Sequence, residues 1–175
     1  MYNIGILSKD SVHELKDIPQ SSVGAPCPMV LADEHHLYVF YYLQNTPEDW
    51  DGSTVRVVGP ETRGEPVAII TFSGFIAYYH GCPNDETFSG HPLYKKGLGP
   101  YGAYEIKKSS WIRRLMEMNR VHPCHKDSNF EDYRHFILSF HDTTFECIAE
   151  NYLLEITSGS ILQVAKMIMG KFENL

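Results

Sequence analysis

Residues 67–79 read VAIITFSGFIAYY, the strongest strand signal in the chain. β-Branched and aromatic side chains suit the pleated, half-buried surface of a sheet. Gly74 interrupts the run. An interior glycine marks a bulge or a sharp bend, so the stretch is either one bent strand or two strands meeting at Gly74. The fold turns on that choice, because a strand of this length organises whatever pairs with it.

Upstream lie two apolar runs, 28–32 and 37–43, separated by the polar group Asp33, Glu34, His35 and His36. Both read as strands. A short strand is expected over 54–58, and the Gly- and Pro-bearing stretch 59–66 reads as a turn region. Downstream, residues 81–102 (GCPNDETFSGHPLYKKGLGPYG) show little hydrophobic periodicity. Connections in a compact domain usually run about 4–6 residues, and much longer ones are commonly functional. Residues 103–107 form a short strand leading into a helix. Ser109 or Ser110 can cap that helix, Trp111, Leu115 and Met118 supply its apolar stripe, and Pro123 ends it.

A hairpin is expected from 133–140 and 145–149, around His141, Asp142, Thr143 and Thr144. Facing Phe140 with Phe145 also faces Leu138 with Cys147 and Phe136 with Ala149. All six then share one apolar face. The other face carries His135, Ile137, Ser139, His141, Glu146, Ile148 and Glu150, and is expected to be open. A last strand covers 153–156. A terminal helix covers 158–172, with Ser160 and Gln163 at capping-box spacing. Strands dominate and the helices come late. The pattern predicts one globular α+β domain over 1–175. Its sheet is largely antiparallel and bent, able to close partly into a barrel, and the two helices pack on it.

The 175 residues are 43% hydrophobic and carry a formal net charge of −7, which fits a folded globular chain. Short Lys and Arg doublets are no basic stripe, so no nucleic-acid partner is expected. No run of eighteen apolar residues occurs and residues 1–20 lack the pattern of a signal peptide, so a cytoplasmic protein with no membrane association is expected. The four cysteines are then reduced thiols, and none forms a CxxC pair.

Six of the nine histidines fall between His80 and His141. His122 and His125 flank Cys124, and with His91 they are the candidate ligands for a divalent metal such as zinc, which takes nitrogen, sulfur and oxygen donors in tetrahedral geometry. The spacing matches no established zinc pattern. His141 and Glu146 project to one face of the hairpin as near-diagonal neighbours, and a carboxylate beside an imidazole is the usual arrangement for acid–base work. With Glu86 they are the candidate catalytic residues. Asp85, His91 and Tyr101 are the candidate ligand contacts of the long loop. The leading expectation is therefore a small-molecule site built from 81–102 and 133–150, with metal-assisted hydrolysis as its chemistry. The alternative is a non-catalytic acidic module of inhibitor or immunity type, meeting a basic protein through Asp33 and Glu34 or through 48–51. A homodimer pairing two sheet edges is a third expectation.

Overall fold

The computed structural model describes residues 9–46, 53 and 57–172. It divides 67–79 at Gly74 into two strands that belong to different sheets: β4 (Glu65–Ser73) and β5 (Ala77–Gly81). Gly74 has φ of 60°, a conformation L side chains adopt at a cost, and a Cβ there would lie 2.5 Å from Cδ of Glu150. Glycine is thus what lets the chain leave one sheet and enter the other.

The first sheet holds β4 with β2 (Met29–Ala32), β3 (Leu37–Tyr42) and β9 (Asn151–Gly159), in the order β2-β3-β4-β9. The second holds β5 with β1 (Ser11–Glu14), β6 (Ala103–Lys107), β7 (Arg134–Ser139) and β8 (Thr144–Ala149), in the order β1-β6-β7-β8-β5. Every pairing within them is antiparallel. Helices α1 (Ser110–Asn119) and α2 (Ile161–Phe172) complete the α+β architecture. The sheets face each other as two layers, and the described strands do not close into a barrel. Neither helix is long and apolar enough to cross a membrane.

Alternation along the strands explains the layering. In β3 all six residues are buried. Leu37, Val39 and Tyr41 face the other sheet, while Tyr38, Phe40 and Tyr42 face α2. Between the sheets, Phe72 lies 5.6 Å from the ring of Phe136 and 5.5 Å from that of Phe145. On the far side, Ile161, Val164, Ala165 and Ile168 of α2 cover the first sheet. The capping box forms as its spacing predicts. Gln163 N–H donates to Ser160 Oγ at 3.1 Å, and Ser160 N–H donates to Gln163 Oε1 at 3.0 Å. The helix starts at Ile161 rather than residue 158, because Ser158 and Gly159 are spent pairing with Pro66 and Glu65.

The long loop 81–102 is a cover. It carries two 3-10 turns, Phe88–Gly90 and Tyr94–Lys96, and it buries Phe88, Leu93 and Leu98 against Ile106 and Ile137 of the second sheet. The hairpin face expected to be open is therefore closed: His135, Ile137, Ser139, Glu146 and Ile148 are all buried. Helix α1 begins where its serine predicted, with Ser109 Oγ accepting from Trp111 and Ile112 N–H. Of its expected stripe only Trp111 is buried, and Met118 stands exposed. The strand expected over 54–58 falls in part outside the described residues, and Val57 and Val58 are in no strand.

Candidate functional site

The face assignment of the hairpin holds, but its register differs by two residues. Phe136 faces Cys147 and Leu138 faces Phe145. Phe140 N–H donates to Thr143 O at 2.8 Å, so the connection tightens around His141 and Asp142 alone. Two-residue loops are the commonest hairpin connection, because their backbone twist matches that of the strands. The tighter loop slides Glu146 to a place opposite Ile137, away from His141. The expected pairing of His141 with Glu146 is thereby corrected: each belongs to a separate polar cluster.

The first cluster is buried. Glu146 sits between two imidazoles, 3.2 Å from His91 Nε2 through Oε1 and 3.1 Å from His135 Nε2 through Oε2. Leu93 N–H donates to His91 Nδ1 at 3.1 Å, so the ring proton of His91 is on Nε2 and goes to Glu146. His135 Nδ1 lies 2.9 Å from Ser109 Oγ. Since that oxygen already accepts two helix N–H groups, its own proton is donated to His135, whose Nε2–H is left for Glu146. A carboxylate in a protein interior is tolerated only when donors surround it. Here two strands, the loop and the cap of α1 each contribute. His91 and Glu146 also reach the floor of an open groove of about 500 Å³, walled by Tyr79, Cys82, Pro83, Thr87 and Pro92.

The second cluster is at the surface, where the loop meets the hairpin turn. Asp85 N–H donates to His141 O at 2.9 Å, which ties the loop to the turn. The Asp85 carboxylate accepts a hydrogen bond from the Tyr101 hydroxyl and lies 2.9 Å from His141 Nδ1. The Tyr101 oxygen is also 2.9 Å from His141 Nδ1. The Tyr101 hydrogen bond, then that of His141, holds Asp85 below the usual carboxylate range. In return, hydrogen bonding to Asp85 first, with burial second, pushes the Tyr101 phenol up to about 12, so it stays a donor at neutral pH. Tyr101 has φ of 57°, and a non-glycine residue held there costs ~1–3 kcal/mol and persists only where its surroundings impose it. Ser139 imposes it: its hydroxyl donates to Gly99 O at 2.9 Å and accepts from Gly102 N–H at 3.0 Å. The outer nitrogen of His141, Nε2, is 4.0 Å from Asp142 Oδ1, and the side chain is 41% exposed.

Of the residues singled out from sequence, Asp85, Tyr101 and His141 are brought together, and His91 joins Glu146. Glu86 is exposed, one position past Asp85. The three candidate metal ligands do not converge. His91 has both ring nitrogens engaged in the interior, whereas His125 follows α1 and bonds Asn119 and Asp127 at 2.8 and 2.7 Å. His122 accepts from Cys124 N–H through Nδ1 at 3.1 Å. Among the described residues no three His, Cys, Asp or Glu side chains are placed to hold a metal ion. Cys147 is buried between the sheets and its thiol is pushed up by desolvation. Asp33 spends its carboxylate on its own turn, accepting from His35 and His36 N–H at 2.7 Å each. Stretch 48–51, the other acidic candidate, lies outside the described residues.

Sequence reasoning missed His135 and Ser109 as partners of Glu146. The signal was present: a two-residue turn places His135 diagonal to Glu146, within reach across two strands. The molecule is thus an α+β pair of packed sheets, with one buried and one exposed acid–base cluster beneath a covering loop. No family model, curated protein or solved structure matches it.

Proposed function

We propose that the protein hydrolyses a small ester at the junction of loop 81–102 and the hairpin turn, with His141 as general base and Asp85 as the residue that positions it. The observation that supports this reading is the state of the His141 ring. Asp85 engages Nδ1 at 2.9 Å, while the Nε2 edge is left toward solvent. A carboxylate on one nitrogen fixes tautomer and orientation and frees the other nitrogen to take a proton. In the reaction, His141 Nε2 accepts a proton from water as the water oxygen attacks the ester carbonyl. The protonated imidazole then returns that proton to the departing alkoxide, giving acid and alcohol. Tyr101 holds Asp85 ionised throughout, since its phenol remains protonated in neutral solution.

Hydrolysis of 4-nitrophenyl acetate and 4-nitrophenyl butyrate, followed at 405 nm on the order of hours if needed, tests the reading in wild type, His141→Gln and Asp85→Asn. General-base catalysis contributes ~10²–10⁴-fold, so His141→Gln should lose at least about a hundredfold in kcat/KM, with Asp85→Asn falling between the two. Rates that do not saturate with substrate, or that are equal in wild type and His141→Gln, would overturn it.

A further inference from the structure

The two sheets end in four outer strands, β1, β2, β5 and β9. Three of these are short: β1 and β2 have four residues each and β5 has five. β9 has nine, and at ~3.4 Å per residue it runs about 31 Å. Among the described residues it pairs on one side only, with β4. Proteins commonly blunt an edge by keeping it short, by placing proline or lysine on it, or by covering it. β9 reads NYLLEITSG, with no proline or lysine and with Glu155 as its one charged side chain. Two of its large apolar side chains stand in the open, one on each face. Tyr152 and Leu154 pack into the core between the sheets, and Ile156, which shares their face by alternation, is 60% exposed. Leu153, on the opposite face, is 62% exposed.

We infer that β9 is an interface between two copies of this chain, paired antiparallel about a two-fold axis through Leu154, so that the two four-stranded sheets join into one. The strand is its own complement in that register. A two-fold axis perpendicular to the sheet keeps each face on its own side, and directly opposed side chains share a face. With the axis at Leu154, that residue meets its twin, Ile156 lies against Tyr152 of the other copy, Asn151 faces Thr157, and Leu153 faces Glu155. The exposed Ile156 thus gains an aromatic neighbour, and aromatic–β-branched pairs are among the stabilising cross-strand pairs. Moving the axis one residue on, to Glu155, would set that carboxylate against its twin, and like charges directly opposite are destabilising. Moving it one residue back, to Leu153, shortens the paired stretch to 151–155 and leaves Ile156 outside it. Parallel pairing of two copies is less stable per residue than antiparallel pairing. Two strand edges bury less than a standard interface of ~1,600 Å², so the dimer should exchange with monomer in the micromolar range. The pairing involves neither His141 nor Asp85, and it does not depend on the ester-hydrolysis reading.

Sedimentation equilibrium of the full chain from about 5 to 500 µM, in wild type and in charge variants of one cross-strand pair, tests the inference. Wild type should pass from monomer to dimer within that range. Leu153→Glu sets two carboxylates opposite each other on both sides of the axis and should weaken the dimer about tenfold. Leu153→Lys faces Glu155 with the opposite charge and should hold the dimer close to wild-type strength. Combining Leu153→Glu with Glu155→Lys should restore what Leu153→Glu loses. Both positions are exposed, so the variants should fold and melt as wild type does at monomeric concentration. Amide hydrogen exchange gives a second reading that needs no variant: along β9 it should slow as wild-type concentration rises, while along β1, β2 and β5 it should not. A monomer at every concentration would overturn the inference, and is the outcome expected if the edge receives another protein's strand. A dimer indifferent to all three variants would place the contact elsewhere, and one that Leu153→Glu and Leu153→Lys weaken equally would refute the register. Either result would overturn the inference as well.

Discussion

Cutting Glu146 back to alanine should be among the most damaging single changes in this molecule. Its side chain is 3% exposed, as is that of His91, and His135 is fully buried. Glu146→Ala leaves two buried ring N–H groups facing a void where a carboxylate stood. Leaving a buried N–H without its acceptor costs ~1–3 kcal/mol, so the two together cost ~2–6 kcal/mol, which for a chain of this size lowers the melting temperature by roughly 4–24 °C. Glu146→Gln is the sharper probe. His91 must keep its proton on Nε2, because Leu93 N–H occupies Nδ1. The glutamine carbonyl must then face His91, and its amide must face His135 Nε2. That forces the His135 proton onto Nδ1, toward a Ser109 oxygen already accepting two helix N–H groups. The substitution should cost about 1–3 kcal/mol, less than the alanine variant but more than a surface change. Urea unfolding followed by far-ultraviolet circular dichroism and by tryptophan fluorescence measures both, and Trp111 reports locally because its ring lies edge-on to His135 at 5.3 Å. If Glu146→Ala unfolds within about 1 kcal/mol of wild type at an unchanged m-value, the carboxylate is not holding two desolvated imidazoles and the reasoning fails.

Three further outcomes are expected. Phe88→Ala should cost ~3–5 kcal/mol in the same denaturation assay, because the residue belongs to a packed cover and not to a solvated loop; a loss below ~1 kcal/mol would contradict that role. Gly74→Ala should cost ~1–2 kcal/mol from backbone strain alone, and a neutral result in thermal melts would mean that the crossover does not require its positive φ. Asp33 titrates at about 2 when folded against 3.8 ordinarily, because His36 and the turn N–H groups bond its charged form. A depressed folded value means stabilisation that is complete above the ordinary value and is lost as pH falls from 3.8 toward about 2. The stability gap between wild type and Asp33→Asn should therefore be constant in neutral buffer and close across that acid window. A gap that persists at the acid end would remove the explanation.

What the sequence reveals is governed by how local each determinant is. The capping box of Ser160 and Gln163 and the face parity of 133–150 depend on neighbours a few residues away and are as read, and the cap of α1 falls to Ser109, one of the two serines the sequence offers. Gly74 announced a bend, but only the packing of two separate strand sets decides that the bend is a change of sheet. The hairpin register failed by two because Phe140 and Thr143 close a tighter turn than the apolar matching alone suggests. The polar face looked solvated because nothing local says that Phe88, Leu93 and Leu98, scattered through a glycine- and proline-rich stretch, fold back over it. Asp85 and His141 are 56 positions apart, and His91 and Glu146 are 55 apart. Their residue types were legible, and their partnership is a product of that cover.

The strand partners also set a timetable for the nascent chain. β4 presents PVAIITF as a high-propensity edge whose outer partner, β9, begins 78 residues beyond Ser73. At ~5–20 residues per second of synthesis, that edge waits roughly 4–16 s before its mate exists. An uncharged, β-prone edge left unpaired for seconds is a template for the wrong neighbour. The interval between β4 and β9 is thus where this protein is most exposed to misassembly on the ribosome, and where a holding chaperone has its opportunity.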